Sequence, residues 1–231
     1  MKNDLVLLVG DVHGYFGALF DAIEKKDIKD CYLICVGDLG IGFKYGTEGE
    51  LAGMIQINEF FEERNIKFKS IRGNHDDPWY WQSHNTNYSH FELIRDYSTM
   101  VINGEKWLFV GGGLSIDRSV RRLGYSYWTD EVFVLDESKI VECDVLVTHS
   151  GPNWIGPFDK EGISGWCKRD EKLWDECLKE RSDHNRLYEL AKPKKSYLGH
   201  FHMYQAVEHN GCYATILDEL QIVEHRPYES V

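Results

Sequence analysis

The histidines and carboxylates of this 231-residue chain are concentrated in a few short segments. "GDVHG" carries Asp11 and His13, "GDLG" carries Asp38, "GNHDD" carries Asn74, His75 and Asp76, "THSGP" carries His149, and "GHFH" carries His200 and His202. Half of the ten histidines fall in these places. His200 and His202 flank one phenylalanine, so on an extended strand both imidazoles face the same side. Carboxylates, neutral imidazoles and an amide oxygen, without a thiolate, suit a borderline or hard divalent ion such as Mn²⁺, Fe²⁺ or Zn²⁺. Asp11, His13, Asp38, Asn74, His149, His200 and His202 are more ligands than one ion takes, whereas two ions sharing a carboxylate would use them all. Two such ions, about 3.5–4 Å apart, can clamp a phosphoryl group and hold a bridging hydroxide for in-line attack.

Each of these segments follows an apolar run. "LVLLVG" (5–10), "CYLICVG" (31–37), "IKFKSIRG" (66–73), "VLVTHS" (145–150) and "SYLGHF" (196–201) read as buried strands, and ligands in open α/β sheets gather beyond the carboxyl ends of strands. Helical spacing over 15–26 and 48–64, the latter with Leu51, Met54, Ile55 and Phe61 on one face, predicts a βαβαβ half with a parallel sheet. Beyond residue 90 short strands are expected at 98–102, 106–110 and 131–135. A longer helix follows, with Leu173, Trp174, Cys177, Leu178, Leu187 and Tyr188 along one side until Pro193 ends it. Residues 204–224 read as two or three antiparallel strands turned at "HNG" (209–211), giving one sheet that continues the parallel half and a second, mostly antiparallel one. Gly10, Gly14, Gly37, Gly73 and Gly199 mark tight backbone beside the crowded strand ends.

Composition sets the outer limits. Residues 1–231 read as a single domain, with 42% hydrophobic and 13% aromatic content, no repeat and no linker-like stretch. The opening apolar run is too short for a leader or a membrane span, and six scattered cysteines without a CxxC pair suit reduced cytoplasmic thiols. A formal net charge of −12 disfavours long nucleic acids, whose affinity rests on Lys and Arg clusters. Phosphate in such a field needs a local positive counterpart, which bound divalent ions would supply.

The order "GDVHG", "GDLG", "GNHD", "THSGP", "GHFH", spanning residues 10 to 202, resembles the calcineurin-like metallophosphoesterases, in particular small bacterial and phage members. The resemblance implies a four-layer αββα sandwich of two mixed β-sheets flanked by helices. It also implies hydrolysis of phosphate mono- or diesters by a dinuclear metal centre, with Mn²⁺ first and Fe, Ni or Zn as alternatives. By the same resemblance Asp11, His13 and His202 hold the first ion, Asn74, His149 and His200 the second, and Asp38 bridges them. His75 becomes the general acid or the stabiliser of charge on the leaving oxygen. Asp76 is a weaker candidate for orienting His75, because adjacent residues rarely face each other.

The chain departs from the serine/threonine protein phosphatases of that superfamily. Their second motif continues as GDxVDRG, but here "GDLGIGF" puts Ile41 and Gly42 where the supporting Asp and the phosphate-gripping Arg would be. A replacement is expected in "GGGLSIDRSVRRLGYSYW" (111–128), where Arg118 or Arg121 would contact substrate phosphate. No "GK[ST]" follows the triple glycine, so it is not a P-loop. The aromatic stretches "PWYWQSHNTNYSHF" (78–91), "GYSYW" and "NWIGPF" are expected chiefly as packing anchors, with nucleobase stacking as the alternative. The resulting expectation is a cytoplasmic phosphoesterase acting on a small phosphorylated compound, a nucleotide among the candidates. A protein phosphatase, a nuclease or phosphodiesterase, and a non-catalytic scaffold on the same fold are the rivals.

Overall fold

The computed structural model describes residues 5–43, 47–82 and 87–227. Strands β1 (Leu5–Val9), β2 (Cys31–Cys35), β3 (Ile66–Ser70) and β4 (Phe91–Leu93) run parallel side by side, with α1 (Phe16–Lys25) and α2 (Thr47–Glu63) as the crossovers. A short α3 (Pro78–Gln82) lies between β3 and β4. The second sheet holds β5 (Ser98–Ile102), β6 (Glu105–Val110), β7 (Val145–Thr148), β8 (Lys195–Leu198), β9 (Gln205–His209) and β10 (Cys212–Ile216), in the order β5-β6-β7-β8-β10-β9. The one-turn α4 is brief (Ser164–Cys167), and the long α5 (Leu173–Ala191) feeds β8.

The strands are apolar on both faces because each sheet is covered twice. In β1, Leu7 and Val9 join the core under α1 and α2, while Val6 and Leu8 join the core between the sheets. In β6, Trp107 and Phe109 face the inter-sheet core, and Leu108 and Val110 pack with Leu187, Tyr188 and Ala191 of α5. Three apolar layers therefore separate helix, sheet, sheet and helix, which is the αββα sandwich expected. A continuous apolar run is what a strand buried on both faces requires.

Three details of the strands differ from expectation. The second sheet is parallel at its centre, through β6, β7, β8 and β10, and antiparallel only at its edges β5 and β9. The hairpin β9–β10 turns at Asn210 and Gly211, both left-handed, as "HNG" predicts, but β11 (Ile222–Glu224) then crosses to the first sheet and pairs antiparallel with β1. Residues 131–135 form no strand. The carbonyls of Asp130, Glu131 and Val132 are taken by the Arg72 guanidinium, and Gly113 N–H also reaches Glu131 O, so this backbone is satisfied without a ladder.

On the helices, Ile55 and Leu178 are exposed rather than packed, and the buried face of α5 runs through Leu173, Glu180, Arg181, His184, Leu187, Tyr188 and Ala191. Leu51, placed above on the apolar face of α2, and residues 83–86 of the aromatic stretch lie outside the described side chains. The six cysteines are free, and four of them are buried. Among the described residues no helix is long and apolar enough to cross a membrane.

Candidate metal centre

The five motif segments leave β1, β2, β3, β7 and β8 at the same ends of the two sheets and are stitched to one another by backbone bonds. Val12 and His13 N–H donate to Asp38 O (3.0 and 2.8 Å), and Gly199 N–H donates to His149 O (3.0 Å). His13, Asp38, His200 and His202 all sit at positive φ (49°, 48°, 69° and 47°), a region that non-glycine residues seldom occupy. Such backbone concentrates where the surroundings hold side chains at an aimed position. Gly73 and Gly199 are among the motif glycines required by close approach rather than by turning. A Cβ on Gly73 would lie 2.0 Å from Asp38 Oδ1, and one on Gly199 would lie 2.0 Å from Asp11 Oδ1.

On one side of Asp38, ligand atoms of Asp11, His13, Asp38 and His202 all lie within 4.8 Å of one another. His13 Nε2 and His202 Nε2 face each other at 3.1 Å, and His202 Nε2 is 3.4 Å from Asp11 Oδ2. On the other side, His149 Nε2 is 3.0 Å from Asn74 Oδ1 and 3.2 Å from Asp38 Oδ1, while His200 Nδ1 is 2.8 Å from Asn74 Oδ1. Asp38 joins the two groups, with Oδ1 toward His149 and Oδ2 3.9 Å from His13 Nε2. All seven residues singled out as ligands are thus brought together.

The donor set fits a divalent cation on observations internal to the chain. Asp11 Oδ1 is buried without a hydrogen-bond partner, although Oδ2 accepts from His200 N–H at 2.9 Å. Burial, with the charge of nearby Asp38 adding, raises the Asp11 carboxyl well above the ordinary carboxylate range. For Asp38 burial acts the same way but is outweighed by His149, His75 and His13, which hold it well below that range. For His149 burial opposes charge, yet Asp38 and Asp11 outweigh it and push the imidazole up to about 9. His200 and His13 are held neutral-favouring, below 6.5, first by burial. Two buried carboxylates ringed by imidazole nitrogens are stabilised by a cation between them.

His75 stands at the rim of this cluster. Its N–H donates to Asp38 Oδ1 (2.7 Å), its ring stacks on Phe43 (4.6 Å between centroids), and its Nε2 meets Arg121 Nη2 at 2.5 Å. Burial lowers it to about 4, with Arg121 adding to the effect, so the ring is neutral. Arg121 also donates to Asn74 O (3.2 Å) and Ser115 Oγ (3.0 Å) and pairs with Asp117 (2.7 Å). Ser115 accepts from Asn74 Nδ2 (3.0 Å) and donates to buried Glu131, a chain that turns the Asn74 oxygen toward His149 and His200. Arg118 does not join. Its guanidinium pairs with Asp170 (2.7 Å) and Glu176 instead.

Asp76 does not orient His75. Its two oxygens accept the N–H groups of Leu39, Gly40, Ile41 and Gly73 at 2.7–3.2 Å, which fixes the loop after Asp38 against the loop of Asn74. Burial and then Asp38 push its carboxyl up to about 7 in spite of these donors. Of the aromatic residues, Tyr80 and Trp81 are core anchors, Trp81 Nε1 donating to Ser70 O (3.1 Å), and Trp154 stacks on His209 (4.5 Å). Trp128, 6.3 Å from Phe43, lies next to the His75 rim. Residues not foreseen are Ser115, Glu131, Phe43 and Glu219. Ser115 and Phe43 stand inside motif-bearing loops, whereas "LDEL" around Glu219 carries no signal in the sequence.

A family model, the calcineurin-like phosphoesterase, matches residues 5–204. Among curated proteins none matches the sequence. Of solved structures, one crystal structure aligns with a TM-score of 0.52 at 12% identity, covering 96% of this chain and 95% of that one. An archaeal phosphodiesterase aligns with a TM-score of 0.40 at 11% identity (93% and 84% covered). The phosphopantetheinyl hydrolase of Mycobacterium tuberculosis aligns with a TM-score of 0.43 at 14% identity (94% and 91% covered). At 12% identity the first of these likenesses is one of fold.

Proposed function

The chain belongs to the calcineurin-like phosphoesterases, metal-dependent hydrolases of phosphate esters, and from that premise we propose a dinuclear centre acting on a small phosphorylated compound. Asp11, His13 and His202 would hold the first ion, Asn74, His149 and His200 the second, and Asp38 both. The observation that carries this reading is the position of Asp38, whose two oxygens face different histidines, His149 at 3.2 Å and His13 at 3.9 Å. When bound, a pair of divalent ions supplies Lewis acidity toward phosphoryl oxygens and a nucleophilic water at neutral pH.

The chain's own residues do the rest. Arg121, half-buried among Asp117, Asn74 and Ser115, offers a guanidinium at the rim of the cluster, and a fork of this kind matches phosphate oxygens. Arg121 can only donate, so His75 Nε2 accepts from it and has no proton to give at that nitrogen. A phosphate oxygen that draws Arg121 onto itself frees Nε2, which can then take up a proton from water and pass it to the leaving oxygen. Phe43 stacked on His75 and Trp128 beside it form an apolar wall at this edge. The net charge of −12 and the lack of the GDxVDRG arginine both favour a small substrate over nucleic acid or phosphoprotein. Drawing ligands from both sheets supports reading residues 1–231 as one catalytic domain.

The test is metal content together with turnover of bis-p-nitrophenyl phosphate, p-nitrophenyl phosphate and natural phosphate esters in Mn²⁺, Fe²⁺, Ni²⁺ and Zn²⁺. His75→Ala should keep both ions and lose rate. An intact, metal-loaded protein inert on every ester would overturn the proposal.

A further inference from the structure

His200 and His202 are neighbours in sequence with opposite surroundings. His200 is fixed from several directions, its N–H on Asp11 and its Nδ1 on Asn74. His202 is 45% exposed at a left-handed turn, and its Nε2 is useful to a cation only if the ring is held with that nitrogen inward and unprotonated. Its Nδ1 lies 3.2 Å from Glu219 Oε1, which is also 3.5 Å from His13 Nε2.

The loop that carries Glu219 is itself anchored to the strand ends of the cluster. Leu217 N–H donates to Leu198 O (2.8 Å), Leu220 N–H to Asp11 O (3.0 Å), and Gly10 N–H to Gln221 O (3.0 Å). Leu220 adopts a left-handed backbone (φ 54°), and a Cβ at Gly10 would meet Asp218 O at 1.9 Å. The "G" of "GDVHG" therefore serves the approach of this loop, which lies outside the residues matched by the family model.

We propose that Glu219 is a positioning carboxylate for the first ion, accepting the Nδ1 proton of His202 so that Nε2 presents its lone pair beside Asp11 and His13. The inference rests on the metal-centre reading above. A carboxylate behind a ligating histidine fixes the tautomer and ring orientation, and loss of such a partner typically weakens metal binding about 10–100-fold.

The experiment is titration of the metal-free full chain with Mn²⁺ by calorimetry, for wild type, Glu219→Ala and Glu219→Gln, with the melting temperature of each metal-free protein. Glu219→Ala is expected to weaken one of the two Mn²⁺ sites about 10–100-fold and to leave the other and the metal-free melting temperature unchanged. Glu219→Gln keeps an acceptor oxygen for Nδ1 and should stay within about threefold of wild type, a rescue that a purely electrostatic role would not give. Equal weakening by both variants, or wild-type Mn²⁺ binding by Glu219→Ala, would overturn the assignment of Glu219. Failure of the wild-type chain to bind Mn²⁺ would instead remove the metal-centre reading on which it stands.

Discussion

On one side of Asp38, His149 is fully buried, Asn74 is 3% exposed, and both are held by backbone or by the Ser115–Glu131 chain; on the other, half-buried His13 and exposed His202 stand beside Glu219. The two triads offer similar ligand chemistry but reach their geometry by different means. The buried side is organised by packing and by hydrogen bonds that fold together with the core. The open side, beyond buried Asp11, rests on half-buried and exposed imidazoles and on one carboxylate from a distant loop. A site built this way should lose its outer ion with little damage to the fold, whereas disturbing the inner half should disturb the protein.

The largest expected effect tests what joins the halves. Asp38→Asn should release both ions, seen by elemental analysis, and reduce kcat at least about a thousandfold, roughly 4 kcal/mol of transition-state stabilisation. Retention of one full equivalent of metal would break the comparison, since Asp38 would then belong to one side alone. Next, His149→Ala removes the imidazole paired with buried Asp38 and should destabilise the metal-free protein by about 3 kcal/mol in urea. His202→Ala, at the surface, should change it by less than about 0.5 kcal/mol. Equal effects would erase the distinction.

Two smaller effects sharpen it. Arg121→Ala should lower kcat/KM about a hundredfold with both ions retained, whereas Arg118→Ala, whose guanidinium serves Asp170 and Glu176, should stay within about twofold. The smallest concerns the support behind the inner half, where α5 packs Glu180 against Ser150 (2.8 Å) and Arg181 against the carbonyls of Gly151, Ile155 and Pro157. Within that support His184 is fully buried, stacked on Phe133, with neither ring nitrogen hydrogen-bonded, and burial followed by Arg181 lowers it to about 3. The unfolded chain takes up a proton near pH 6.5 that folded His184 refuses, so its stability contribution is complete above that pH and lost as pH falls toward 3. At pH 5.5 the loss is about 1.4 kcal/mol relative to pH 7.5, and urea unfolding of the metal-free protein should show it, with His184→Phe flattening that part of the profile.

The inner and outer ligands were equally legible in the sequence, because each is announced by glycine and an apolar strand. A strand buried on both faces must be apolar throughout, so polar residues at its end stand out against it. The supports were not legible. Glu180, Arg181 and His184 share the helical phase of Leu173, Leu187 and Tyr188, but polar residues at that phase look like a solvated face until the loop carbonyls they serve are placed opposite. Arg118 and Arg121 sit three residues apart in one loop, and which of them reaches His75 depends on the position of Asp170, just before α5, and of Glu176 on its first turn, which are the partners of Arg118. Residues 131–135 look like a strand because their hydrogen-bond partner is a side chain, Arg72, and periodicity carries no trace of that.

The return of β11 to β1 has a consequence for how the chain comes off the ribosome. Asp11 and His13 emerge early and His202 appears 189 residues after His13, which at about 5–20 residues per second is roughly 10–40 s of synthesis. Throughout that interval β1 has β2 on one side but an open edge on the other, since its antiparallel partner Ile222–Glu224 follows later still. An unpaired strand edge invites pairing with other chains. The same segment that closes this edge delivers Glu219 to the open half of the cluster, so maturation of the metal centre and protection of the first sheet are completed by a single late event in translation.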